Sequence, residues 1–151
     1  MLHEYETMVV IRPDIEDAIT TSIIEKLEGV ITTAEGTILI RDDWGKRKLM
    51  YPVAKQQKGH YVMLNYLVKP ALILELERRI RIEDNIVRYL TIKVADSVDV
   101  PTRIEQAAEQ RRVREVEAKA RAEAEAREAE HHHDRDRDRD RDEDEDEPAY
   151  S

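Results

Sequence analysis

Apolar and β-forming residues recur with two alternating periods across the first hundred residues, and this alternation constrains the fold more than any other feature. A period of two runs over residues 5–11, as in a strand with one buried face. Helical spacing follows over 19–31 and returns over 72–80. β-Branched and aromatic residues mark the other strands, at 37–40 with 46–49, 60–68 and 85–94. The predicted order is therefore strand–helix–strand–strand–helix–strand.

This order predicts an α+β fold. Two βαβ units with right-handed crossovers give a ferredoxin-like βαββαβ sandwich, in which a four-stranded antiparallel sheet carries two helices on one face. The other face of the sheet is left without a helix. We expect Gly45 to mark a bulge in the second strand and residues 50–59 to form a polar connection.

Composition changes at Pro101, where a C-terminal helical and then disordered extension begins. Large apolar residues become scarce, so a helix here has little to bury. An Asp-Arg repeat and an acidic run then follow three histidines, and such a segment is typical of disorder. We predict a ferredoxin-like domain over 1–97, a charged helical extension over 98–130 and a disordered tail over 131–151. We also expect removal of 101–151 to leave folding nearly intact.

Some residue types that particular functions require are absent from this sequence or rare in it, which argues against those functions. The chain has no cysteine, which excludes disulfides and thiolate sites, and its four glycines fit no phosphate-binding loop. His60 has no residue near it in sequence to orient it, so we expect a solvent-facing strand histidine. We predict no catalytic residues, no cofactor, no defined metal site and no small-molecule substrate. The acidic start and the lack of a long apolar run favour a cytoplasmic protein without a membrane partner.

The net charge of −9 is unevenly distributed. Residues 1–100 hold 14 basic and 16 acidic side chains, a net of −2, and residues 101–151 hold 11 and 18, a net of −7. Within the first part, residues 41–58 carry a net of +4 and residues 78–93 a net of +3. A nearly neutral domain with two basic segments can present a basic face to phosphate.

Specific strings then point to a family. The segment WGKRKLMYPVAK at 44–55, followed by GHY at 59–61, closely resembles the signature of the bacterial small-subunit ribosomal protein six family. Tyr5-Glu6 with Pro13 is similar to its first strand and exit turn, and RIEDNIVRYLT at 81–91 is similar to its second-helix end and last strand. The resemblance covers about residues 1–95.

The resemblance implies a structural constituent of the small ribosomal subunit that is not an enzyme. Members bind the central domain of 16S ribosomal RNA as a heterodimer with small-subunit ribosomal protein eighteen, and they support platform assembly and translation. Tyr61 and Met63 are implied candidates for the partner-protein interface. The implied RNA-facing residues are Lys46, Arg47, Tyr51, Lys55, Arg79, Arg81 and Arg88.

Two alternatives stay open at the level of sequence. A binder of single-stranded RNA of the RNA-recognition type needs exposed aromatic side chains on the central strands, and KGHYVML at 58–64 partly fits its third-strand consensus. A ligand-binding regulatory domain or small enzyme on the same fold needs a pocket with convergent polar groups.

Overall fold

The computed structural model describes the backbone of residues 1–53 and 56–143, and their side chains except at 49–53, 56–57, 134 and 136–143. Four strands and three helices follow one another in the described chain. They are β1 (His3–Ile11), α1 (Asp17–Thr33), β2 (Thr37–Val53), β3 (Gln56–Val68), α2 (Leu72–Ile82), β4 (Ile86–Ala95) and α3 (Val100–Glu143).

The four strands form one antiparallel sheet in the order β2-β3-β1-β4. Tyr5 lies opposite Tyr66, and Val9 lies opposite both Val62 on β3 and Tyr89 on β4. Sequential strands β2 and β3 are neighbours, whereas α1 and α2 carry the chain across to non-adjacent positions. The predicted ferredoxin-like fold, with its four-stranded antiparallel sheet and two helices, is confirmed.

The main core lies between one face of the sheet and the two helices. Alternate residues of β1 and β3 point into it, because the side-chain period of a strand is two. The α1 and α2 residues in this core recur at helical spacing, which gives each helix one buried stripe. The buried side chains of this core include Val9, Ile11, Ile23, Leu27, Ile31, Val62, Leu64, Tyr66, Leu76 and Ile80.

The β2–β3 hairpin is longer than predicted. The sequence predicts a polar connection over residues 50–59, but every residue described there belongs to β2 or β3. Lys48 pairs with Lys58 and Val53 with Gln56, whereas β1 pairs with β3 only as far as His60. In a two-stranded ribbon the inward backbone groups pair across the hairpin and the outward ones reach water, so no face has to be buried and polar side chains do not exclude it. The predicted bulge is present, since the register shifts between Asp43 and Gly45.

The start of α3 belongs to the folded domain. The compact unit extends over Met1–Ala108. Ala107 is fully buried and packs with Leu39, Ile40 and Leu67 in a second cluster, on the sheet face opposite α1 and α2. We call residues 100–108 the covering turns, because they cover one end of that face.

A buried ion pair joins the covering turns to the first strand. Arg103 Nε donates to Glu4 Oε1 at 2.5 Å, and Glu4 is only 4% exposed. The same guanidinium contacts Asn65 Oδ1 at 3.4 Å, while the Asn65 amide donates to the Tyr5 carbonyl at 3.3 Å. Because an ionised carboxylate is costly to bury without a partner, Arg103 is the group that makes this position of Glu4 tolerable.

The second unit comprises Glu109–Ser151. Its described part is helical to Glu143, and the disorder predicted for residues 131–151 stays a prediction. Val113 and Val116 are exposed there, as expected for a helix with few apolar residues. Residues 144–151 lie outside the described residues, and the predicted boundaries at 97 and 130 stay predictions. In the described chain, no helix is both long and apolar enough to cross a membrane.

Tyr66 gives the domain a predicted sensitivity to alkaline pH. Its hydroxyl lies 2.7 Å from Thr7 Oγ1, and burial raises the pKa of Tyr66 from 10.0 to about 12. The unfolded chain therefore loses this proton at lower pH than the folded chain does. The corresponding stability is complete below pH 10 and is lost as the pH rises from 10 to 12.

We expect wild-type protein to lose about 1 kcal/mol more than Tyr66→Phe between pH 9 and pH 11. Urea unfolding followed by tryptophan fluorescence at the two pH values measures the difference. The other tyrosines and the lysines are common to both proteins and cancel in this comparison. Equal losses in the two proteins would show that Tyr66 does not titrate as its burial requires.

Candidate nucleic-acid interface

The sheet face opposite α1 and α2 presents an apolar surface beyond the covering turns. Met8, Tyr61, Met63 and Leu90 form it around the buried side chain of Val10, and we call these five residues the open face. The pairing register places them together, since Val10 lies opposite Tyr61 on one side, and Met8 lies between Met63 and Leu90. The candidates Tyr61 and Met63 are therefore on this face, because Val62 and Leu64 point into the core instead.

The open face is most exposed at the edge strand β4. Leu90 is 64% exposed and its strand neighbour Ile92 is 49% exposed, whereas Tyr61 and Met63 are half-buried. Contiguous apolar surface of this kind is typical of a protein–protein contact. The face therefore suits a protein partner better than it suits phosphate.

Two of the predicted RNA-facing arginines border the open face. Arg88 is exposed on β4 and lies opposite Val10. Arg47 is exposed on β2 opposite Gly59, which has the same strand parity as Tyr61. The row Gly45–Tyr61–Val10–Arg88 crosses the whole sheet. Arg88 lies at its β4 end, and Arg47 lies two residues beyond Gly45 at its β2 end.

The remaining predicted RNA-facing residues are not brought to this face. Lys46 lies opposite His60, which has the parity of the core residues, so Lys46 and Arg47 occupy opposite faces of β2. The backbone of Tyr51 lies in β2, and its side chain is outside the described part of the structure. Lys55 lies outside the described residues.

Arg79 and Arg81 lie in the last turn of α2, in the helix layer. Arg79 donates to Glu75 at 2.9 Å, and Arg78 makes two bonds to the same carboxylate, at 2.9 and 2.8 Å. Hydrogen bonds from Arg78 and then Arg79 lower the pKa of Glu75 to about 2. Arg81 donates to the Tyr89 hydroxyl at 3.2 Å. These arginines are held by neighbours of their own, and a phosphate must compete with Glu75 for Arg79.

His60 is buried rather than solvent-facing, which corrects the prediction. It is 8% exposed, because its register position opposite Ile11 turns it toward the helix layer. Its Nε2 lies 2.6 Å from Asp43 Oδ1, and that oxygen also accepts the Gly45 N–H at 2.8 Å. The Asp43 carboxylate thus links His60 to the bulge. This structural role accounts for the contact between the two side chains without any catalytic role.

A tryptophan and an arginine form a contact that the sequence reasoning missed. Trp44 is 41% exposed, and the Arg47 guanidinium carbon lies 5.3 Å from the centre of its ring. The sequence signal for this contact is that Trp44 and Arg47 lie on either side of Gly45, a glycine expected to form a bulge. In the described chain, no group of three histidine, aspartate or glutamate side chains is arranged to hold a metal ion.

Comparisons with known proteins agree with this architecture. The family model described as Ribosomal protein S6 matches residues 4–93. The small ribosomal subunit protein bS6 of Caldanaerobacter subterraneus is 41% identical over 95 residues, which cover 63% of this chain and 100% of that protein. The protein of the same name from Nitratidesulfovibrio vulgaris is 38% identical over 98 residues, or 65% of this chain and 97% of the relative.

Longer relatives and a solved structure extend the comparison. The bS6 protein of Desulfatibacillum aliphaticivorans is 38% identical over 110 residues, covering 73% of this chain and 60% of that protein. The crystal structure of 30S ribosomal protein S6 from Thermotoga maritima superposes with a TM-score of 0.60 at 23% identity, over 72% of this chain and 99% of that one. The shared fold and the match from the first strand to the last show that the chain belongs to the ribosomal protein S6 family.

Proposed function

We propose that the protein is a structural constituent of the small ribosomal subunit in the bacterial cytoplasm, and that it binds the central domain of 16S ribosomal RNA together with small-subunit ribosomal protein eighteen. The observation that carries this proposal is the open face, which is apolar at its centre and bordered by Arg47 and Arg88. A protein partner on the apolar part and RNA at the arginines can bind side by side.

The partner-protein part of the proposal rests on Tyr61 and Met63. Both lie on the open face, and Met8 on β1 separates Met63 from the exposed Leu90 on β4. Burial of apolar surface is worth about 25 cal/mol for each Å², so a partner that covers these side chains gains from surface that water now contacts. We infer that ribosomal protein eighteen docks here and supports platform assembly.

The RNA part of the proposal rests on exposed basic groups. Arginine and lysine neutralise phosphates and release counterions, which makes binding depend on salt. Residues 1–100 carry a net charge of only −2, so this chain alone has little long-range attraction for RNA. We expect the pair to bind more tightly than this chain alone. The proposed RNA-facing set is Lys46, Arg47, Tyr51, Lys55, Arg79, Arg81 and Arg88.

The alternative of a single-stranded RNA binder of the RNA-recognition type is less well supported. That mode stacks bases on aromatic side chains of the central strands. Tyr5 and Tyr66, on β1 and β3, are buried toward the helices, and the covering turns occupy one end of the other face. Tyr61 is left on the open face, where it is half-buried. The enzyme alternative gains nothing from His60, whose partner Asp43 also holds the bulge.

Binding of a 16S central-domain fragment tests the proposal. We expect the pair with ribosomal protein eighteen to bind the fragment more tightly than this chain does. Arg47→Ala and Arg88→Ala should each reduce the salt dependence of binding by about one phosphate contact. Arg111→Ala, an exposed arginine of the second unit, serves as the matched control. The proposal is wrong if this chain alone binds as tightly as the pair, or if the pair does not bind.

A further inference from the structure

We propose that Trp44 is a stacking platform for an unpaired RNA base, with Arg47 holding the indole from one side. This inference rests on the RNA-binding function proposed above and assigns a residue to it. The observation that motivates it is a large aromatic side chain exposed at a sheet edge, on backbone that is fixed by specific contacts.

The position of Trp44 is set by the bulge. On either side of it, Asp43 pairs with Val62 and Gly45 with Tyr61, so Trp44 is the extra residue of β2. β2 is an edge strand of the sheet. Bulges of this kind re-aim a side chain away from the regular alternation. The indole is consequently 41% exposed, although it is the most costly side chain of this strand to leave in water.

The bulge is fixed by one backbone conformation and two contacts. Gly45 has a φ of +73°, a left-handed conformation that glycine adopts without strain. Asp43 Oδ1 accepts the Gly45 N–H at 2.8 Å and lies 2.6 Å from His60 Nε2. His60 is itself buried, so the carboxylate is tied to the domain core. The indole is thus presented from a rigid support, which lowers the entropy cost of stacking a ligand on it.

Arg47 completes the platform. Its Nε donates to the Trp44 carbonyl at 3.2 Å, and its guanidinium carbon lies 5.3 Å from the centre of the ring. Both contacts fix the guanidinium beside the aromatic system in a cation–π arrangement. The ring can then receive a base while the guanidinium provides positive charge for the adjoining phosphate. This explains how one arginine serves both the tryptophan and the RNA backbone.

The surrounding charges favour RNA over a protein as the ligand of this platform. Lys46, Arg47 and Lys48 are exposed and follow Trp44 within four residues. Lys58 is exposed on β3, directly opposite Lys48. Arg47 contacts the ring, whereas Lys46, Lys48 and Lys58 have the opposite strand parity, so this edge of the hairpin carries cations on both faces. Such an edge suits a ligand that carries a π surface and negative charge in each repeating unit. Single-stranded RNA has both properties, and base stacking on aromatic residues is tolerant of sequence.

The fluorescence of Trp44 provides a direct test, because it is the only tryptophan in the chain. The full-length chain is mixed with ribosomal protein eighteen and then titrated with the 16S central-domain fragment. We expect the fragment to quench the fluorescence. We expect Trp44→Leu to weaken RNA binding by about 5- to 150-fold without changing its salt dependence, and Trp44→Phe to retain most of the affinity. Arg47→Ala should instead lower the salt dependence.

Each outcome separates this inference from the proposed function. If Trp44→Leu binds the fragment as tightly as wild type does, stacking is wrong and the ribosomal function stands. If ribosomal protein eighteen alone shifts the fluorescence and RNA adds no quenching, Trp44 is a protein contact and stacking is again wrong. If the wild-type pair does not bind the fragment, the proposed function fails, and quenching by single-stranded oligoadenylate decides whether the platform binds bases. Circular dichroism of the folded variants excludes unfolding as the cause of lost binding.

Discussion

A chain that ends after Ser97 is expected to be less stable than the full-length protein by at least about 3 kcal/mol, whereas a chain that ends after Arg112 is expected to keep the full stability of the domain. The shorter chain loses Arg103, and Glu4 is then buried without a partner. It also loses Ala107, which uncovers the buried side chains of Leu39 and Leu67. Both effects lower the free energy of unfolding, and both act at the same end of the sheet.

Urea unfolding of both truncations, followed by the fluorescence of Trp44, measures this difference within the folded domain. The chain ending after Arg112 is the matched control, because it also lacks most of the charged extension but retains all the covering turns. From sequence we expected residues 101–151 to be dispensable for folding, and the structure limits that expectation to residues beyond the covering turns. Equal stabilities of the two truncations would show that the covering turns contribute nothing to the domain.

The fold could be predicted because several neighbouring residues indicate each helix or strand and agree with one another. A period of two over residues 5–11 and helical spacing over 19–31 each involve several residues that agree with one another. Six elements in a fixed order admit few topologies when crossovers are right-handed. The pairing of Val9 with Val62 and of Met8 with Met63 then follows from burial of one face.

The covering turns could not be predicted, because their burial depends on a few long-range contacts. Ala107 is fully buried within a segment whose composition is otherwise that of an exposed helix. Arg103 reaches Glu4, which is 99 residues away in sequence. Neither residue belongs to a periodic apolar pattern, so the prediction of an exposed extension rested on the charged composition of this segment. The same limitation explains His60, whose burial follows from its pairing with Ile11 and not from its neighbours in the chain.

The candidate interface was predictable in residue type but not in arrangement. Lys46 and Arg47 are adjacent in a basic segment, yet the pleat of β2 sends them to opposite faces. Arg79 and Arg81 lie in the helix layer, while Arg47 and Arg88 border the open face. The described members of the set carried over from the family signature therefore lie on more than one surface of the domain.

Replacing Arg103 with an apolar residue should destabilise the domain more than replacing its partner Glu4 does. Arg103→Met leaves a carboxylate that is 4% exposed without its cation, and we expect a loss of about 3–5 kcal/mol. Glu4→Leu leaves Arg103, which retains Asn65 as a partner at 3.4 Å and is more exposed, so we expect a smaller loss. The double variant should regain most of the stability that Arg103→Met loses, because no charge is then buried.

Free energies of unfolding for wild type, the two single variants and the double variant complete this cycle. Arg112→Met is the matched control, since Arg112 lies on the same helix, is exposed and contacts Glu109 at 3.6 Å. An exposed pair of this kind contributes about 0–1 kcal/mol. A loss for Arg103→Met no larger than that for Arg112→Met would mean that Glu4 finds water or another partner once Arg103 is removed. The covering turns would then be held by the apolar packing of Ala107 and Val100, and the ion pair would serve only to fix their register on the sheet.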